Sequence, residues 1–131
     1  MAKRKLSVAF KAYQQNQGML LPPSLDELIA RSHPVRVVNQ VLDKIDIDPL
    51  IKKYKGGGTS SFHPRMLLKV LVYAYINNTY SSRKIEVALR ENIHYMWLSG
   101  MNTPDHNTIN RFRSERLKEV LRQVFTQVVL V

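Results

Sequence analysis

One stretch limits the fold of this chain more than any other: residues 63–78, HPRMLLKVLVYAYINN. Met66, Leu67, Leu68, Val70, Leu71, Val72, Tyr73, Ala74, Tyr75 and Ile76 leave almost no polar face, and only Arg65 and Lys69 interrupt the apolar surface. A helix that is apolar nearly all round has to lie inside a bundle, because no side of it gains by facing water. Pro64 suits the first helical position, where its missing N–H would be unpaired anyway, and His63 is placed to cap it. The stretch is too short to span a membrane, which takes roughly 20 apolar residues, and Lys69 stands in its middle. It predicts a central helix at 64–78 with the rest of the chain packed on it.

The length of 131 residues suits one domain around one core. With no cysteine, a disulfide framework and a thiolate metal site are both excluded. Twenty basic residues against ten acidic ones give a formal charge of +10. For a compact domain that balance points to a polyanionic partner, nucleic acid first. Lys3, Arg4 and Lys5 are followed by no apolar segment of the signal-peptide type, so the chain reads as cytoplasmic.

Residues 1–23 read as an extended basic arm, carrying Lys3, Arg4, Lys5 and Lys11 without an acid and ending at Pro22 and Pro23. The helical domain is predicted over 24–131. Ser24 and Glu27 have capping-box spacing, with Leu25, Leu28 and Ile29 as the buried side of a short helix. After His33-Pro34, a helix should bury Val35, Val38, Val41, Leu42 and Ile45. Asp48-Pro49 opens a short segment burying Leu50, Ile51 and Tyr54, with Lys52, Lys53 and Lys55 outside. The run GGGTSS at 56–61 reads as a connector, since it lacks the Gly-Lys-Ser/Thr ending of a phosphate loop. Thr79 to Ser82 mark a turn and a cap, leading to a helix at 83–92 that buries Ile85, Ala88 and Leu89 and exposes Arg83, Lys84, Glu86, Arg90 and Glu91. A short aromatic helix, 93–98, stops at Gly100, with Trp97 as a core anchor. Asp105 caps a helix starting at His106, and an amphipathic last helix runs from Leu117 to the apolar end at Val131. No strand alternation occurs, so the fold class is all-α: a compact multi-helix bundle.

The helix at 106–113 is the most informative surface. Ile109 and Phe112 are spaced to seat it on the helix at 83–92, which leaves His106, Asn107, Asn110, Arg111 and Arg113 outside. Arginine can read guanine bidentately and asparagine can read adenine. The pair has the plan of a helix-turn-helix reader over residues 62–116, with a longer insertion than usual between its helices. Ser81, Ser82, Arg83 and Lys84 put hydroxyls, unpaired amides and two cations at one helix start, which suits a phosphate. A solvated amphipathic helix and plain serine capping explain the same residues without DNA.

Catalysis finds little support. Asp43, Asp46 and Asp48 lie close in sequence, but a two-metal nuclease needs carboxylates converging from separate elements. His33, His63, His94 and His106 have no companions at metal-ligand spacing, and no nucleophile constellation is present. The expectation is a chain with no catalytic residue, metal site or cofactor of its own, and no small-molecule substrate.

The blocks GMLLPPSLDELI, HPVRVVNQVLDKID, SFHPRMLLKVLVYAY, YSSRKIEVALRENIHYMWLSG and PDHNTINRFRSERL closely resemble the N-terminal domain of bacterial insertion-sequence transposases of the DDE type, from about Gln17 onward. The resemblance implies a helical region that binds double-stranded DNA at terminal inverted repeats, working at the bacterial nucleoid. It implies a following catalytic domain whose acidic ligands hold a divalent metal such as magnesium; the matching blocks contain none of that domain. Carried onto matching positions, it supports Ser82, Arg83, Asn107, Asn110, Arg111 and Arg113 as DNA contacts; Lys84 and His106 join them from the residue reading. Two alternatives stand beside it. The last helix could pair two chains through Val124 and Val128, making a homodimeric regulator of a longer transposase, or the segment 95–97 could stack on RNA bases.

Overall fold

The computed structural model describes residues 9–18, 20, 23–51, 62–119, 121 and 122. Among them are helices α1 (Leu25–Leu28), α2 (Pro34–Asp43), α3 (Asp48–Ile51), α4 (Pro64–Ile76), α5 (Ser82–Glu91), α6 (Ile93–Leu98) and α7 (His106–Glu115). No described residue is in a strand, and the domain is all-α.

The helix starts follow from local chemistry. The His33 and His63 imidazoles each accept the N–H two residues on, from Val35 and Arg65, at 3.1 Å, with proline at the first helical position. Ser81 caps α5 through the Lys84 N–H, and Asp105 caps α7 through the Thr108 N–H at 2.8 Å. The α5 helix therefore begins at Ser82, one residue before the expected start. Its predecessor α4 ends at Ile76 rather than at 78, because Asn78 takes a left-handed φ of +58°. The Thr79 N–H then bonds the Ala74 carbonyl at 2.8 Å and the Asn78 N–H the Tyr75 carbonyl at 3.0 Å, a Schellman closure. Gly100 (φ +58°) ends α6 in the same way, with the Met101 N–H on the Met96 carbonyl.

As expected, α4 is buried: Met66, Leu67, Leu68, Val70, Leu71, Tyr73 and Ala74 belong to the core. It packs on α2 and α6. Its two cations face the C-terminal end of α2. Arg65 donates to the carbonyls of Leu42 and Ile45, and Lys69 donates to the side chains of Asn39 and Asp43. The carbonyls at a helix end have no partner within the helix and carry its negative pole, so cations there are stabilising. Charges that look like interruptions in the sequence are the fasteners of the central pair.

The short α6 is a junction touched by α1, α2, α4 and α5. Tyr95 and Leu98 enter the core, while Trp97 packs against its edge, 5.2 Å beneath the Arg36 guanidinium. Arg36 reaches back across α1 and donates to Asp26 and to the carbonyls of Ile29 and Ala30.

Several expected core positions turn outward. Val41 is 52% exposed, because α4 covers the α2 stripe of Val35, Val38 and Leu42 and leaves Val41 outside it. Leu28 is also exposed: α1 is a single turn, and Ile29 is the residue that enters the core there. Ile45 is buried but lies beyond α2, on the loop that Arg65 fastens. At the far end, α7 stops at Glu115 before a turn at Arg116, and 117–119 are helical again with Leu117 buried. Residues 9–18 are exposed and irregular. Lys3, Arg4, Lys5, the segment 52–61 and the predicted contact residues Val124 and Val128 lie outside the described residues.

Candidate nucleic-acid interface

The candidate surface is built on the packing of α7 against α5. Ile85 and Leu89 of α5 and Ile109 and Phe112 of α7 are all buried to within 3% exposure, so α7 is seated by the residues that the sequence spacing selects. With 109 and 112 inward, positions 107, 110, 111 and 114 fall three or four apart on the opposite side of the helix. Asn107, Asn110, Arg111 and Ser114 are all exposed there, so two amides, a guanidinium and a hydroxyl share one stripe.

At the start of α5, Arg83 and Lys84 are exposed, and among the described residues neither pairs with a carboxylate. Ser82 beside them is half-buried and Ser81 is the cap. The first turn thus offers two cations next to backbone amides at the positive end of a helix, an arrangement that attracts anions.

Two of the expected contact residues face the protein instead. His106 opens α7, and both its backbone N–H and its Nδ1 meet Glu86 Oε2, the ring at 2.8 Å. Arg113, near the other end of α7, donates from Nη1 to the Tyr80 carbonyl at 2.7 Å, and its guanidinium lies 6.0 Å from the centre of the Tyr75 ring. The Nε and Nη2 of Arg113 are buried and, among the described residues, have no hydrogen-bond partner. The structure therefore brings Asn107, Asn110 and Arg111 together on one face, sets Ser82, Arg83 and Lys84 at the start of α5, and turns His106 and Arg113 toward the fold.

Glu86 is the residue that sequence reasoning placed wrongly. Its spacing puts it on the exposed side of α5, but the carboxyl side chain is only 21% exposed and sits at the N-terminus of α7. An acid between Arg83, Lys84 and Arg90 is the available signal; its partner lies 20 residues away, beyond any local pattern. The imidazole of His106, then its backbone N–H, hold the Glu86 carboxyl below its ordinary value. Asp105 is likewise lowered, first by the Thr108 N–H that it caps.

The His33 and His94 rings stack at 3.8 Å and 13°, joining the start of α2 to α6. Burial, then the neighbouring His33, push the His94 imidazole below its ordinary value. Tyr95 stands edge-on to Tyr73 at 5.0 Å, and burial raises its phenol. Among the described residues no helix is long and apolar enough to cross a membrane.

Fold and surface together define a basic, all-α domain with a polar, cation-bearing helical face. The family described as Transposase domain (DUF772) matches residues 23–115, and the chain belongs to that family. Comparison with curated proteins and with solved structures finds no significant match.

Proposed function

We propose that this chain is the DNA-binding region of a transposase of the DDE type, and that it recognises the terminal inverted repeats of its element. The observation that carries the reading is the outward stripe of Asn107, Asn110 and Arg111 on a helix packed against α5. In this reading α5 and α7 are the two helices of a helix-turn-helix-like unit, with α6 inserted between them. The start of α5 meets the backbone: the Ser82 hydroxyl and the Arg83 and Lys84 cations neutralise phosphates and set register without reading sequence. The α7 stripe reads base edges in the major groove, Arg111 toward guanine and an asparagine toward adenine. Recognition then delivers a separate catalytic domain, which uses a divalent metal, to the ends of the element.

The proposal separates two classes of residue, and duplex binding tests it. Asn110→Ala with Arg111→Ala should lower affinity for the terminal repeat by about 1–3 kcal/mol per base contact, and affinity for random duplex only by the loss of one cation. Lys84→Ala should weaken all duplexes about equally and reduce the salt slope by about 1. Equal behaviour of the two sets of variants would remove the assignment of α7 as the reading helix.

A further inference from the structure

We infer that Glu86 and Arg113 are positioning residues that fix α7 against α5 from its two ends and thereby set sequence discrimination without touching a base. The inference rests on the DNA-binding reading above and deepens it.

The start of α7 has backbone N–H groups with no partner inside the helix. Asp105 takes one of them, from Thr108, and that bond is local to α7. Glu86 takes the N–H of His106 from a different helix, and its same oxygen takes the His106 ring nitrogen. A carboxylate that reaches across to the first residue of a neighbouring helix fixes both the distance and the rotation of that helix. Arg90 stands 4.0 Å from the other Glu86 oxygen, so the carboxylate is oriented from its own helix as well.

Arg113 fixes the far end. Its bond to the Tyr80 carbonyl joins the second half of α7 to the turn that begins α5, and its position over Tyr75 extends the tie to α4. A guanidinium with two buried nitrogens that find no partner among the described residues is a costly way to make a surface charge. Its geometry is that of a strut. Between these ties lie Asn107, Asn110 and Arg111, and base-edge hydrogen bonds fail when a reading side chain is displaced by about 1 Å.

Charge gives the test its sharpness. Removing an acid beside a DNA surface should, through Coulomb attraction alone, tighten binding to every duplex. A positioning residue predicts the opposite for the cognate site. The experiment is equilibrium binding of the full chain to a terminal-repeat duplex and a shuffled duplex of equal length, at several salt concentrations, with thermal unfolding of each variant. Glu86→Ala should reduce the ratio of the two affinities at least tenfold, leave the salt slope on shuffled duplex unchanged and retain a cooperative unfolding transition. Glu86→Gln keeps an oxygen acceptor for the His106 N–H and should restore most of the ratio. In the unbound protein, Glu86→Ala should also speed amide exchange of His106 relative to amides of α4.

A wild-type ratio that Glu86→Ala leaves intact, or amide exchange of His106 that does not change, would overturn the inference while the DNA reading stands. Equal wild-type affinity for both duplexes would overturn the DNA reading, and the positioning role with it.

Discussion

Replacing Arg36 by alanine should unfold the corner where α1, α2 and α6 meet at far lower temperature than the wild type. The side chain is 11% exposed and makes bonds in three directions: Nη2 to the carbonyls of Asp26 and Ile29 at 2.7 and 2.8 Å, Nε to the carbonyl of Ala30 at 3.0 Å, and Nη1 to the Asp26 carboxylate. Water can reach part of this corner, so the three carbonyls lose about 1 kcal/mol each rather than the larger values for fully buried charged bonds. The cation over Trp97 contributes about 0.5–1 kcal/mol more. The Asp26 pair is solvated and left out of the sum. The total, about 3–4 kcal/mol, corresponds to a fall in Tm of about 10–20 °C for a chain of this size. Circular dichroism during heating and urea titration, with Trp97 fluorescence as a local probe, would measure it. Arg36→Lys should recover less than half, because an ammonium cannot serve a planar fork of acceptors. A loss under about 1 kcal/mol, or full recovery with lysine, would refute the reasoning.

Other outcomes follow from the same contacts. The His94 imidazole is held below its ordinary value, so the unfolded chain binds the extra proton first, and stability should fall as pH drops through the ordinary histidine range, near 6.5. Urea midpoints between pH 8 and pH 5 would show the fall, and His94→Asn should flatten it. Asp26, Glu86 and Asp105 are all lowered, so their stabilisation is present at neutral pH and should disappear below about pH 4. Gly100→Ala meets no atom within 4 Å, so its cost comes from the backbone at φ +58° alone: about 1 kcal/mol, read as a small shift in the urea midpoint without change of slope. Leu89→Ala empties a buried position beneath α7 and should cost about 2–5 kcal/mol.

Features written in neighbouring residues could be read from the sequence. The burial of α4, the histidine-proline starts of α2 and α4, the Asp105 cap and the seating of α7 by Ile109 and Phe112 all depend on residues within a turn or two of each other. What escaped depends on partners far along the chain. Lys69 and Arg65 looked like breaks in an apolar helix, and only the fold shows that the end of α2 lies opposite them. Val41 has the right residue type and nearly the right spacing, yet α4 is one helix wide and covers only part of that face. In the candidate interface, the exposed stripe was legible because helical period alone separates 107, 110 and 111 from 109 and 112. The roles of Glu86, His106 and Arg113 were not, since a charged side chain on a helix surface reads the same whether it meets water or another helix. Arg113 has the type and spacing of an outward cation, and only the fold shows that it lies beside Tyr75 and Tyr80.

Recognition of transposon ends is measured by binding of the full chain to a duplex bearing the terminal inverted repeat and to its shuffled counterpart across a salt series. Both affinities should fall along lines of similar slope in log salt, with the repeat bound at least tenfold tighter at every point. Equal affinities for the two duplexes, both lost by about 0.2 M salt, would contradict it and leave a basic helical domain that binds DNA by charge alone.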